Sequence, residues 1–329
     1  MSWSSRKLLN IALAFGVAAS CANAGTIDQI YAFGDSLSDV GNVFIGTGGT
    51  IPPPPYVNGQ FSNGPVWVQY LAAGLGLAPL TPSLAGGTDY AYGSGETGLE
   101  PFNLSDPRTD VLGAAGQLAQ YQGFLTATHT TADPNALYTI WIGSNDLADV
   151  LASNPDPSTA AADVGIVAAN IGTIINQLSA LGAKNFLVVN VPDLGASPLA
   201  GTPAARTALS QLSGALDTTL AASLGGVASA DHINLQLLNS YLLLDSIISS
   251  PATYRLTNVS DECFNGNTVC SNPDQYLFWD DQHPTTAGHA IVANAALALV
   301  NSPEPKSISL IGLGLGLVGF VLIQRRAKA

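Results

Sequence analysis

The chain has 329 residues, 10 lysines and arginines against 23 aspartates and glutamates, and a formal net charge of −13. Away from its two ends only Arg108, Lys184, Arg206 and Arg255 are basic, and so acidic a surface repels phosphate backbones, which excludes nucleic-acid binding. Few charges among many Ala, Leu and Gly leave material for one large core, and residues 25–301 read as one domain without linker or internal repeat.

Residues 1–24 have the three parts of a secretory signal peptide: Arg6 and Lys7, the apolar run Leu8 to Ala19, and the small-residue site Ala22-Asn23-Ala24. A lipoprotein anchored at Cys21 is the alternative, but Ala18-Ala19-Ser20 lacks the usual Leu. Ile27 to Phe33 then alternates as a strand does and ends in Gly34-Asp35-Ser36-Leu37-Ser38-Asp39. A Gly- and Pro-rich stretch from Gly46 to Gly64 cannot be helix interior and reads as an ordered surface loop. Tyr56, Phe61 and Trp67 either line a substrate rim there or pack into the core.

The spacing predicts a helix over Pro65 to Leu75, a short strand over Asp89 to Tyr92, and a helix over Arg108 to Thr126. Ala136 to Ile142 and Asn185 to Val191 are apolar runs of strand length, separated by an amphipathic helix over Ser158 to Leu181. A helix over Thr202 to Leu224, a strand over Ile233 to Leu237 and a helix over Asn239 to Ile248 follow. A cysteine-bearing loop, Ser250 to Gln275, and a closing helix, Pro284 to Val300, complete the domain. Strands alternating with helices call for an α/β fold: three layers, α/β/α, around a mostly parallel, flavodoxin-like sheet of about five strands. Right-handed crossovers put every strand-to-helix loop on one rim, which gathers Ser36, Gly93 to Gly95 and Asn145.

A serine hydroxyl is a poor nucleophile until a base takes its proton. His283, in Asp280-Asp281-Gln282-His283-Pro284, is the candidate base. Asp280 and Asp281 compete to orient it, with the three-residue separation favouring Asp280. His289 and His232 are rival bases, and His129 carries no partner pattern. An oxyanion needs donors; the backbone N–H of Gly93 or Gly95, the Asn145 side chain and the Ser36 N–H are candidates. Cys263 and Cys270, an even pair in an exported chain, suggest a disulfide, while two thiols without a histidine cluster offer too few ligands for zinc.

These blocks resemble the GDSL, or SGNH, hydrolases. Gly34-Asp35-Ser36-Leu37-Ser38-Asp39 is similar to the first block, Asp89-Tyr90-Ala91-Tyr92-Gly93-Ser94-Gly95 to the second and Gly143-Ser144-Asn145-Asp146 to the third. Asp280-Asp281-Gln282-His283-Pro284-Thr285 is similar to the last, and Val191-Pro192-Asp193-Leu194-Gly195 to a recurrent segment. The resemblance implies Ser36 as nucleophile, His283 and Asp280 as its partners and Asn145 as an oxyanion donor. The second block departs from the family, with Asp89 where Asn is usual and Ser94 where a second Gly is usual, so the N–H donor is open among Gly93, Ser94 and Gly95. The G-x-S-x-G elbow of α/β-hydrolases is absent around Ser36.

The tail, residues 302–329, holds Pro303-Glu304-Pro305, an uncharged apolar run over 307–323 and then Arg325, Arg326 and Lys328. The run is just long enough to span a bilayer of about 30 Å, and the basic end predicts a cytoplasmic side. Together the three parts resemble a PEP-CTERM sorting signal, which implies exosortase-type machinery as a partner and export to the cell surface, outer membrane or matrix of a Gram-negative bacterium. A permanent single-pass anchor is the alternative. The expectation is an exported esterase or lipase needing no metal or organic cofactor. Its ester substrate is a lipid or phospholipid, a short acyl ester or an acetylated glycan. A non-catalytic matrix-binding protein on the same fold, or a polysaccharide O-deacetylase, stands as the alternative.

Overall fold

The structure, a computed structural model, describes residues 27–98, 112–153 and 157–302. The expected signal peptide and the tail from Pro303 onward lie outside the described residues.

Four strands, β1 (Ile30–Gly34), β2 (Leu137–Trp141), β3 (Asn185–Val189) and β4 (Asn234–Leu238), pair in that order, and all three pairings are parallel. β2 is buried at every position, which is why it reads as an unbroken apolar run rather than an alternating one. In place of the expected fifth strand, a short extended segment lies beside β1 as a single parallel bridge between Ala32 and Asp89, held by Ala32 N–H to Thr88 O, Tyr90 N–H to Ala32 O and Tyr92 N–H to Gly34 O. It precedes β2 in the chain yet lies outside β1, as the flavodoxin-like order requires.

Alternate residues of the strands feed two separate cores. On one face Phe33, Tyr138, Ile140, Phe186 and Val188 meet the helices α3 (Ala114–Thr128), α5 (Pro157–Ala180) and α6 (Pro203–Asp231). On the other, Ile30, Leu137, Leu187 and Val189 meet α2 (Trp67–Gly74) and α8 (Thr286–Val300). The period of two along each strand therefore builds three layers. Thr159–Ala180 in α5 is long and apolar enough to cross a bilayer, but Val164, Val167, Ile171 and Ile174 spend that character on the first core.

Several elements differ from the sequence expectation. α3 begins at Ala114, with Gly113 as its N-cap accepting from Gln117 N–H, while the expected start at Arg108 lies outside the described residues. α6 runs to Asp231, past Gly225 and Gly226, because Val227 beyond them packs against the first core. α4 (Ser144–Ser153) follows β2 directly, and a two-stranded parallel pair, β5 (Asn258–Glu262) and β6 (Tyr276–Phe278), stands within and after the cysteine-bearing region. α1 (Asn42–Gly46) and α7 (Ser240–Ser249) complete the set used below.

Candidate active site

The carboxyl ends of the strands form the rim on which the candidate residues sit. β1 passes so close to β2 that a side chain on Gly34 would collide with the Trp141 carbonyl. Beyond Gly34 the chain turns tightly: Ser38 and Asp39 N–H both donate to Asp35 O, and Leu37 N–H donates to Asp35 Oδ1 at 2.9 Å. Asp39 fixes the next turn by accepting from Gly41, Asn42 and Val43 N–H, and its Oδ2 also accepts from Gly93 N–H at 2.9 Å. Val40 N–H donates to Asp89 Oδ2, while Asn42 Nδ2 donates to the Asp89 and Ala91 carbonyls. The first and second blocks are thus one hydrogen-bonded body, with Ser36 at its crest.

His283 lies across from it. Its Nε2 is 2.8 Å from Ser36 Oγ and its Nδ1 is 2.7 Å from Asp280 Oδ2. A carboxylate only accepts, so the proton sits on Nδ1, and Nε2 carries the lone pair toward the serine O–H. Asp280 Oδ1 accepts from the N–H groups of Gln282 and His283, at 2.9 and 2.7 Å. This turn folds the carboxylate back onto the ring three residues later. The structure brings Asp280, not Asp281, to His283; the Asp281 carbonyl instead accepts from Leu199 N–H. Burial opposes ionisation of Asp280, but the His283 ring, its hydrogen bonds and Tyr56 outweigh it and hold the carboxyl at about 2. Burial pulls the His283 pKa down, and the Asp280 charge and hydrogen bond more than reverse that, leaving it above its ordinary value.

His289 and His232 are not brought to the serine. His289 is buried on α8 with no partner for either ring nitrogen among the described residues. Burial depresses its pKa to about 3, so it stays uncharged. His232 caps the far end of α6.

The oxyanion candidates separate clearly. Gly143, at φ 120°, makes the sharp exit from β2 that starts α4 and puts Asn145 in its first turn. Asn145 Nδ2 donates one hydrogen to Gly95 O at 2.9 Å, which orients the amide and leaves its second N–H without a partner among the described residues. Asn145 and Ser36 line one cavity. Gly93 N–H is taken by Asp39 and Gly95 N–H by Tyr92 O. Both glycine N–H groups are thus engaged within the turn. Ser94 N–H and Ser36 N–H carry no hydrogen bond among the described residues. Ser94 stands at φ 60°, the left-handed conformation that a glycine adopts at no cost.

Cys263 and Cys270 form a disulfide. No group of three or more His, Cys, Asp or Glu among the described residues forms a cluster able to hold a metal ion.

Between α7, β6 and α8 a cavity of about 70 Å³ opens beside Ser36 and His283, walled by Leu199, Leu243, Leu244, Ile247, Phe278 and Val292. This wall was not legible in the sequence, since it is assembled from segments far apart in the chain. Asp35 also faces this cavity, with Oδ2 unpartnered among the described residues, and burial pushes its pKa from 3.8 to about 7. A carboxyl raised in the folded state stabilises fully below its unfolded pKa and loses that contribution as pH rises through the folded value. The Asp35→Asn variant should therefore gain stability over wild type between pH 4 and 8, by a few kcal/mol on the order of the shift. Thermal melts across that range check it; a constant difference would show that Asp35 titrates normally.

An open parallel α/β sheet with an Asp–His–Ser chain at the carboxyl ends of its strands defines the serine-hydrolase class of three-layer folds. Residues 30–296 match the family of GDSL-like lipases and acylhydrolases, and the chain belongs to it. An uncharacterized protein in the trpE-trpG intergenic region of Pseudomonas putida is 30% identical, across 90% of this chain and 53% of that protein. The thermolabile hemolysin of Vibrio parahaemolyticus is 26% identical, across 84% of this chain and 64% of that protein. A phosphatidylcholine-sterol acyltransferase of Aeromonas hydrophila is 25% identical, across 83% of this chain and 90% of that protein. The chain thus spans 53% and 64% of the length of the first two relatives.

Proposed function

We propose that the chain is an exported serine hydrolase that cleaves carboxylic esters carrying an extended acyl chain. The observation that carries this reading is the continuous line from Asp280 Oδ2 through the His283 ring to Ser36 Oγ, opening on an apolar cavity.

In the first half-reaction Ser36 Oγ attacks the acyl carbon while its proton passes to His283 Nε2. The negative oxygen that forms is met by the Ser36 N–H, the free N–H of Asn145 and the N–H of Ser94. The ester C–O bond then breaks, and the alcohol leaves with the proton from Nε2. In the second half-reaction Nε2 takes a proton from water as its oxygen attacks the acyl-serine. Collapse of that intermediate returns the proton to Ser36 and frees the acid. Asp280 stays ionised throughout and stabilises the imidazolium in each half.

The acyl side of the substrate lies along Leu243, Leu244 and Ile247. Burying each methylene there contributes about 0.8 kcal/mol, roughly fourfold in kcat/KM. An acetyl group leaves that wall unused, which weighs against an acetylated glycan. Two relatives with names that mention hemolysis and phosphatidylcholine agree with a lipid ester. Export rests on the N-terminal pattern and on the Cys263–Cys270 disulfide, a bond at home in oxidising compartments. Sorting through the tail by an exosortase-type enzyme rests on the PEP-CTERM resemblance alone.

Hydrolysis of p-nitrophenyl esters from acetate to dodecanoate, by wild type beside Ser36→Ala, tests the reading. We expect kcat/KM to climb with chain length until the cavity is filled, and Ser36→Ala to be inert. Equal rates in the two proteins would end the hydrolase reading. A profile that peaks at acetate would move the substrate to small acyl groups.

A further inference from the structure

The mechanism above leaves one short contact unused. Tyr56, in the proline-rich stretch between α1 and α2, donates its O–H to Asp280 Oδ2 at 2.7 Å. That is the same oxygen that accepts from His283 Nδ1. Asp280 Oδ1 is already filled by two backbone N–H groups, so each carboxylate oxygen carries two donors.

We propose that Tyr56 is a positioning residue of the hydrolytic site, which holds the Asp280 carboxylate in line with His283 and shares its negative charge. The proposal rests on the hydrolase reading above and adds a fifth side chain to Ser36, His283, Asp280 and Asn145.

The contact is built by its surroundings. The Tyr56 ring meets Phe264 edge-on at 5.8 Å, Trp279 at 6.2 Å and Phe61 at 6.4 Å. Phe264 stacks on Trp279 at 5.7 Å and belongs to the loop closed by the Cys263–Cys270 disulfide. Phe61 also lies 5.5 Å from the His283 ring. The loop is tied to the histidine segment by Ser62 Oγ donating to Pro284 O and Thr286 N–H donating to Asn63 Oδ1. Aromatic walls and these two bonds leave the phenol one direction to point.

A hydrogen bond to an ionised carboxylate is short and about twice as strong as a neutral one. Two consequences follow from adding one to Oδ2. The carboxylate cannot swing away from Nδ1, so the imidazole keeps its Nε2 lone pair on Ser36. Part of the negative charge is also drawn toward the phenol, so the imidazolium gains less from Asp280 than it would from a bare carboxylate. Tyr56 itself stays protonated, since burial and then the Asp280 charge raise its pKa. The other ionisable groups facing this pair are Asp35, Asp281 and His289 toward His283, and Asp281 and Glu262 toward Asp280 and Tyr56.

Tyr56→Phe keeps the ring and its three aromatic contacts and removes only the O–H. We expect kcat to fall roughly tenfold with KM unchanged, and the acid limb of the kcat/KM profile to move up by about half a pH unit. The melting temperature should stay near wild type. Phe264→Leu, which loosens the wall but leaves the phenol, should lower the melting temperature without moving the acid limb. A Tyr56→Phe profile equal to wild type in both rate and acid limb would overturn the proposal. So would a rate loss with an unmoved acid limb, since simple packing accounts for that. Ser36→Ala run in parallel separates the two levels. If it is inert while Tyr56→Phe behaves as wild type, only the Tyr56 role fails; if it is fully active, the hydrolase reading fails and takes this role with it.

Discussion

His283→Ala is expected to lower kcat for ester hydrolysis by about four to six orders of magnitude, with a folded protein and little change in KM. The variant keeps Ser36, Asn145 and the apolar cavity, so substrate still binds. What it loses is, among the described residues, the only ring nitrogen within hydrogen-bond reach of Ser36 Oγ. Without it the serine attacks as an alcohol, a nucleophile too weak for the task. His289 supplies the control. It is also buried and only six positions along, yet its ring makes no hydrogen bond among the described residues and stays neutral. His289→Leu should retain the full rate. It removes two ring nitrogens that lack partners among the described residues, each costing about 1–3 kcal/mol, so its stability should match or exceed wild type. Steady-state kinetics and melting curves of the pair decide. Loss of turnover in His289→Leu with activity kept in His283→Ala would assign the base to the wrong histidine. Wild-type activity should itself decline as pH falls through the His283 pKa, which lies above the ordinary 6.5, because only the neutral imidazole accepts the proton.

Asn145→Ala should cost about 10²- to 10³-fold in kcat, with KM nearly constant. The amide donates to Gly95 O with one hydrogen, and on the proposed mechanism it offers the other to charge that exists only in the transition state. Removing it therefore spares ground-state binding and raises the barrier by roughly 3–4 kcal/mol. Asn145→Asp is the sharper variant. It keeps the shape but sets an acceptor against the Gly95 carbonyl and the developing oxyanion, so it should be worse than alanine. A change in KM alone would mean that Asn145 binds the ground state and donates nothing to the oxyanion.

How far the sequence carried depends on whether the deciding contact was local. Strands and helices were legible because burial on two faces imposes apolar runs and periods that any window displays. Ser36, Asn145, Asp280 and His283 were legible because each sits in a compact block with a distinctive composition. Asp280 against Asp281 was half legible: both carboxylates lie near the ring in sequence. The backbone turn that closes on Asp280 Oδ1 selects between them. β5 and β6 were missed because Asn258 to Glu262 is polar and partly or fully exposed, and its pairing depends on a partner outside its own window. Ser94 illustrates a different gap. The sequence left the donor open among Gly93, Ser94 and Gly95, because which N–H is available depends on bonds to Asp39 and Tyr92 that no local pattern displays. Tyr56 is the extreme case, since 224 residues separate it from the carboxylate it touches and nothing in its own loop hints at the partner.

The reach between Ser36 and His283 is longer still, 247 positions, and α8 begins only three residues after the histidine. On the mechanism proposed above, attacking oxygen and proton acceptor come from segments far apart in the chain, so a molecule truncated before His283 should be chemically silent however much of its sheet has formed. Contacts this distant are slow to close. In refolding, the return of turnover should accordingly trail the return of helical signal, which makes the reaction itself a gauge of completed assembly.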